Sequence, residues 1–213
     1  CVATIPQTSE KVYEKKKIDK KLRKRFSGGF NILFAGNISP AQSFPTMIEA
    51  ADLLRNRGHV DIRWIIVGDG MSKTNIESSV KDRLLNNFYF EGQKPITDIP
   101  YYNDVADLLV GCLVKSDFLE ATIPAKVMSY IASGKPIVLA MDGEVQDLIN
   151  ETIGCGFAGP TEDAVALADN IERVYLMSHA KRSELGKKAN EYHFKNLERN
   201  VILNRLFDFM FRA

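Results

Sequence analysis

The chain has no long hydrophobic run, few cysteines and no cluster of metal-ligating residues. No apolar stretch approaches the roughly 20 residues that a membrane-spanning helix needs. Three cysteines occur in 213 residues, and Cys1, Cys112 and Cys155 lack the spacing of a metal site or a redox pair. Cys112 and Cys155 sit in apolar, strand-like stretches, which predicts core thiols in a reducing compartment. His59, His179 and His193 are scattered, so no metal is expected. The N-terminal residues show no secretory-signal pattern, which predicts a cytoplasmic location. What remains is ordinary globular material, with 45% hydrophobic and 26% charged residues. A chain of this length can bury a sizeable core.

Charge of one sign is abundant in only one place. Residues 1–26 hold nine Lys/Arg against three Asp/Glu, a net of +6, and the remainder has a net of −5. Lys11, Lys15, Lys16, Lys17, Lys20, Lys21, Arg23, Lys24 and Arg25 make a basic leader. Such a run can attract an anionic lipid surface, or it can be a solvated helix face, the commoner case. No series of aromatic residues interleaves to stack bases, so nucleic acid is not an expected partner. The reading is a basic linker or leader helix over residues 1–27, with possible peripheral membrane contact through residues 11–25.

After residue 27 the pattern becomes strand then helix, repeated about six times. Apolar strands are expected at residues 30–35, 62–67, 87–91, 107–114, 137–140 and 153–158. Helical spacing covers residues 43–57, 74–85, 145–151, 161–177, 184–192 and 194–211, with a single helical turn at 99–103. Thr161 is expected to cap the helix it opens. The alternation predicts an α/β fold: a Rossmann-like, doubly wound parallel sheet of about six strands. Ligands of such sheets bind beyond the carboxyl ends of the strands. Four loops therefore share one rim: Gly36-Asn37-Ile38, Gly68-Asp69-Gly70, Gly92-Gln93-Lys94 and residues 120–126. Asp69, between two glycines, reads as a turn former rather than a catalyst.

The richest segment runs from Ile123-Pro124-Ala125-Lys126 to Gly134-Lys135-Pro136 and on through Ile137 to Ala140. Pro124 suits a first helical position, and Gly134 with Pro136 stops the helix before a strand buried on both faces. A helix N-terminus carries free N–H groups and about half a positive charge, so it favours anions. Lys126 in that turn opposes the dipole unless a bound anion offsets both. That points to a phosphate, against the plainer reading of a solvated lysine.

The ordered set Phe34-Ala35-Gly36-Asn37-Ile38, Ile66-Val67-Gly68-Asp69-Gly70, Phe90-Glu91-Gly92 and Ile123-Pro124-Ala125-Lys126 through Gly134-Lys135-Pro136 resembles the C-terminal half of a family-4 (group 1) glycosyltransferase of GT-B fold. It is most similar to bacterial surface-polysaccharide enzymes, and Asp142-Gly143-Glu144 before Leu148-Ile149 fits that group. The resemblance covers residues 28–213. It implies a nucleotide-sugar-binding domain, with the N-terminal acceptor domain missing and residues 1–27 as the interdomain linker. It implies a retaining transfer from a UDP-sugar to a glycan or lipid-linked acceptor, with no cofactor or metal, and a chain inactive alone. No Asp-x-Asp pair is present to clamp a metal–diphosphate.

The departures from the family pattern shape the site. Asn37 and Gln42 stand where the family carries an arginine and a lysine on the diphosphate. Ala121 and Ser129 stand where it carries two glutamates eight positions apart, and Glu120 lies beside the first. The expected donor contacts are Gly36, Asn37, Gln42, Gln93, Lys94, Ile123, Pro124, Ala125 and Lys126, with Glu144 for ribose or sugar hydroxyls. No base or nucleophile is evident in this half, so the catalytic residues stay unassigned. Two alternatives remain at this point: a fragment of a GT-B sugar-nucleotide epimerase, or a non-catalytic α/β binding or interaction module.

Overall fold

The structure is a computed structural model describing residues 8–9, 11–14, 17–120 and 122–211. Lys15, Lys16 and Ala121 lie outside the described residues. Six strands, β1 (Phe30–Ala35), β2 (Ile62–Val67), β3 (Phe88–Gly92), β4 (Leu108–Cys112), β5 (Ile137–Ala140) and β6 (Gly156–Gly159), form one sheet in the order β3-β2-β1-β4-β5-β6. Every pairing is parallel, as the strand–helix alternation predicts. The chain first winds outward from β1 to β3, then returns to β4 on the other side of β1. The β1/β4 boundary is therefore a topological switch point, where a crevice opens beyond the strand ends.

Alternation along each strand splits the core between two faces. Ile32, Phe34, Trp64, Ile66, Leu108 and Val110 face one side, beneath α2 (Phe44–Asn56), α3 (Lys73–Asp82) and α8 (Ala164–Tyr175). Leu33, Ile65, Val67, Leu109 and Leu139 face the other, beneath α4 (Ile99–Val105), α6 (Ala125–Ser133) and α9 (His179–Tyr192). Strands buried on both faces need near-continuous apolar sequence, which is why they could be read directly. Cys112 and Cys155 are buried free thiols, as the apolar context predicts.

Helix ends depart from the sequence expectation where side chains compete for the backbone. Thr161 does not open α8: Asp163 is the cap, accepting from the Ala166 N–H at 2.8 Å. The Thr161 hydroxyl instead donates to the Asp142 carboxylate, which also takes the Thr161 N–H at 3.2 Å. Pro124 is the residue before the first turn of α6, extended at φ −61° and ψ 139°, so Ala125 is the first helical residue. The expected helix at 145–151 is a short α7 (Glu144–Asp147) continued by a wide π-type turn, Leu148–Ile153. A second π-type turn, His193–Leu197, separates α9 from α10 (Arg199–Phe211). Residues 1–7, 10, 15 and 16 of the leader lie outside the described residues. Its described part holds a 3₁₀ turn at Lys11–Glu14 and α1 (Lys20–Arg25), capped by Asp19 through the N–H groups of Lys21 and Leu22. Lastly, α5 (Asp117–Glu120) is a single turn between β4 and α6.

Candidate functional site

Beyond the carboxyl ends of β1, β2 and β3 lies a cleft of about 580 Å³. Its floor is backbone. The parallel ladder continues past the strands, with the Gly36 N–H donating to the Val67 carbonyl at 2.9 Å and the Gly68 N–H to the Gly92 carbonyl at 2.9 Å. The Ile38 N–H reaches the Asp69 carbonyl at 2.8 Å. The loops pack so closely that a Cβ on Gly68 would stand 1.9 Å from the Gly36 carbonyl oxygen, and one on Gly70 2.3 Å from that of Ile38. Both glycines also have positive φ, +148° and +157°. Only glycine lets the two loops meet in this way. Asp69 closes its own turn, accepting from the Gly70 N–H at 2.8 Å and pairing with Lys73 at 3.4 Å. These hydrogen bonds hold its carboxyl below the usual carboxylate range. It is a turn former, as its flanking glycines suggest.

The structure brings Gly36, Asn37, Gln93 and Lys94 together on the walls of this cleft. Lys126 lies behind them. Its ammonium sits 3.7 Å above the centre of the Phe34 ring and donates to the Gln42 side-chain oxygen. It does not line the cleft, but it packs against Gly36, which does: a Cβ there would lie 3.1 Å from Lys126 Nζ. The first turn of α6 thus places a cation under the β1 loop rather than in solvent, correcting the plainer sequence reading. Burial pushes the Lys126 pKa from 10.5 down to about 7, partly opposed by the neighbouring Cys112. Burial likewise pushes the Cys112 thiol up to about 12.

Gln42, standing where the resemblance leads one to expect a cation, is now the acceptor that holds Lys126. Ile123 packs half-buried against the second core face. Pro124 and Ala125 begin α6 on the same rim, with Ala125 exposed. Glu144 is not brought into the cleft. It is exposed at the start of α7, where Gly143 packs on the Glu120 backbone. Three wall residues had no signal in the sequence: Tyr13, Ile96 and Ile99. Tyr13 belongs to the leader, and nothing in its local pattern says that the leader folds back to the rim. Among the described residues, no group of three or more His, Cys, Asp or Glu side chains is arranged to hold a metal ion.

A doubly wound parallel sheet with a glycine-floored cleft beyond the carboxyl ends of β1, β2 and β3 defines a Rossmann-like ligand-binding domain. The family to which the chain belongs is glycosyl transferases group 1, whose model matches residues 14–192. A relative, the putative colanic acid biosynthesis glycosyl transferase WcaI of Escherichia coli K12, is 26% identical over 179 residues, covering 83% of this chain and 42% of the relative. Among solved structures, Anabaena Alr3699/HepE in complex with UDP and glucose matches with a TM-score of 0.74 at 18% identity, over 96% of this chain and 53% of that one. A glycosyltransferase from Rickettsia africae matches with a TM-score of 0.79 at 17% identity, over 96% of this chain and 55% of that one. The fold is thus the Rossmann-like domain of GT-B proteins, and the chain spans about half the length, or less, of these relatives.

Proposed function

We propose that this chain is the donor-binding half of a retaining glycosyltransferase that moves a sugar from UDP to a glycan or lipid-linked acceptor. One observation carries the reading. Gly36, on the wall of a cleft floored by loop backbone, packs directly on the Lys126 side chain, where a Cβ would lie 3.1 Å from Nζ. A phosphate oxygen that enters the cleft beside Gly36 and comes within hydrogen-bond distance of Nζ accepts from the ammonium, replacing Gln42. The wall amides of Asn37 and Gln93 add neutral donors. As the sugar leaves, charge grows on the diphosphate, and a desolvated cation beside it is worth more than one in water. Family membership and UDP in a structural neighbour, HepE, support the same donor class.

The acceptor and the remaining chemistry belong to the half that this chain does not span, so it has no turnover alone: transfer requires both reactants in register. Glu144 is left to the outer rim, where a second domain can bring a sugar hydroxyl to it. The leader adds weak attraction to the inner membrane face, each near-surface Lys or Arg contributing about 1 kcal/mol. Three leader cations are already used on the domain: Arg23 pairs with Asp104 and Arg25 with Glu91, and Lys17 donates to the Thr97 carbonyl, at 2.6 Å each.

The test is calorimetric titration of UDP into the wild type and Lys126→Ala, with melting temperature as a control. Loss of one charge-assisted hydrogen bond of about 1.5–3 kcal/mol lowers affinity roughly tenfold to 150-fold. Equal affinities would move the phosphate away from Lys126. No binding to the wild type at millimolar UDP would favour a non-catalytic module.

A further inference from the structure

We infer that Tyr13, from the leader, is a binding residue for the nucleoside end of the donor. The inference rests on the reading of the cleft as a nucleoside-diphosphate site. The cleft has two unlike ends. One is loop backbone at Gly36, Gly68 and Gly70, with Lys126 behind it. The other is apolar, made by Ile96, Ile99 and Tyr13, a half-buried ring that packs on the second core face and also lines the neighbouring cleft at the strand starts. A nucleoside diphosphate is built the same way, with an anionic end and a flat ring end. The cation and the glycine floor fix which end goes where, so the ring end meets Tyr13. A tyrosine ring offers a wide face at low entropic cost and a polar tip.

The leader is built to hold that ring in place. Its Lys11–Glu14 turn packs on α4 and α6. The Glu14 carboxylate lies 3.1 Å from Nε2 of His193, a fully buried histidine in the turn between α9 and α10. On the other side, Lys17 Nζ donates to the Thr97 carbonyl at 2.6 Å and lies 5.1 Å from the centre of the Tyr101 ring. Thr97 belongs to the Ile96–Asp98 turn that carries Ile96 into the cleft. The leader therefore supplies one apolar wall and pins the turn that supplies another. A simple tether needs neither contact.

The experiment titrates UDP and inorganic pyrophosphate separately into the wild type, Tyr13→Phe and Tyr13→Ala, with melting temperatures beside them. Ring–base stacking predicts that Tyr13→Ala weakens UDP binding roughly fivefold to 150-fold. Tyr13→Phe keeps the affinity within about twofold, because the ring face remains. Pyrophosphate, which has no ring, binds the wild type and Tyr13→Ala alike. Unchanged UDP affinity in Tyr13→Ala overturns the inference and leaves the donor site standing. An equal loss for UDP and pyrophosphate overturns it too, by showing a general disturbance of the cleft. Failure of the wild type to bind UDP removes the donor reading itself, and the inference with it. Where pyrophosphate binding is below detection, the UDP comparison among the three proteins decides.

Discussion

Among the described residues two clefts of similar size are chemically opposite, although Tyr13 of the leader lines both. The one at the carboxyl ends of the strands, about 580 Å³, is floored by glycine backbone with one desolvated lysine behind it. The other, about 630 Å³, lies at the amino ends of β4 and β5 and is lined by charged side chains. Most of that charge is spent inside the protein. Arg23 grips both oxygens of Asp104 at 2.6 and 2.7 Å. Lys135 donates to the carbonyls of Ala106 and Asp104 at 2.7 and 3.2 Å. Asp107 accepts from the Asn31 N–H at 2.9 Å, and Arg182 donates to the carbonyls at the end of α8. The second cleft is a seam that joins the leader, the strand starts and α9. A ligand site shows itself by capacity held near the surface and weakly used, which cavity size does not measure.

The largest effect that sharpens this contrast is on the glycine floor. Gly68→Ala puts a methyl 1.9 Å from a carbonyl oxygen at φ +148°. Neither loop can yield without breaking the ladder, so we expect a loss of about 3 kcal/mol or more in urea denaturation. Gly58→Ala is the control. It has positive φ of +91° but open space around it, so only the backbone term of about 1–2 kcal/mol applies. If Gly68→Ala costs no more than Gly58→Ala, the close approach of the loops is wrong.

The next effect concerns the lysine itself. Lys126→Met keeps the stem but removes an ammonium whose burial lowers its pKa from 10.5 to about 7. Between those two values the folded chain holds fewer protons than the unfolded one, so this group's contribution to stability rises with pH. Its penalty is full below about pH 7 and gone near pH 10.5. The Met variant should therefore melt higher than the wild type at pH 6 to 7, with the difference shrinking as pH rises. Its UDP affinity should nevertheless fall, which separates a functional cation from a structural one. A melting difference that is constant from pH 6 to pH 10 would mean that Lys126 is not desolvated as described.

How much of this was legible follows from what each feature depends on. Strands β1, β2 and β5 could be read because burial on both faces leaves little choice of residue. The stop of α6 at Gly134 could be read because the left-handed φ of +66° there favours glycine. The start of α8 could not, since Thr161 and Asp163 are both competent caps and Asp142, from a loop after β5, takes the threonine. The π-type turns at Leu148–Ile153 and His193–Leu197 leave no periodic mark. Lys126 stood out through its place in a first turn, but its burial needs Phe34 and Gln42, the latter 84 positions away. Tyr13 was hidden for the same reason. Its role exists only once the leader has folded back onto α4 and α6.

The smallest effect tests whether the two clefts act independently. Arg23 belongs to the leader, so its pairing with Asp104 could hold Tyr13 in place from a distance. Two other anchors lie nearer to Tyr13: Glu14 on His193, and Lys17 on the Thr97 carbonyl. Arg23 is half-exposed while Asp104 is largely buried, at 52% and 10%. Asp104 holds the guanidinium pKa above its usual value through the hydrogen bond and the charge. At an end open to water that coupling is screened, so it stabilises weakly. Arg23→Ala should lower the melting temperature slightly, less in high salt than in low, because screening has already weakened the pair. UDP affinity should be unchanged within calorimetric error. If UDP affinity falls together with the melting temperature, the seam reaches the donor cleft through the leader, and the two clefts are one coupled system.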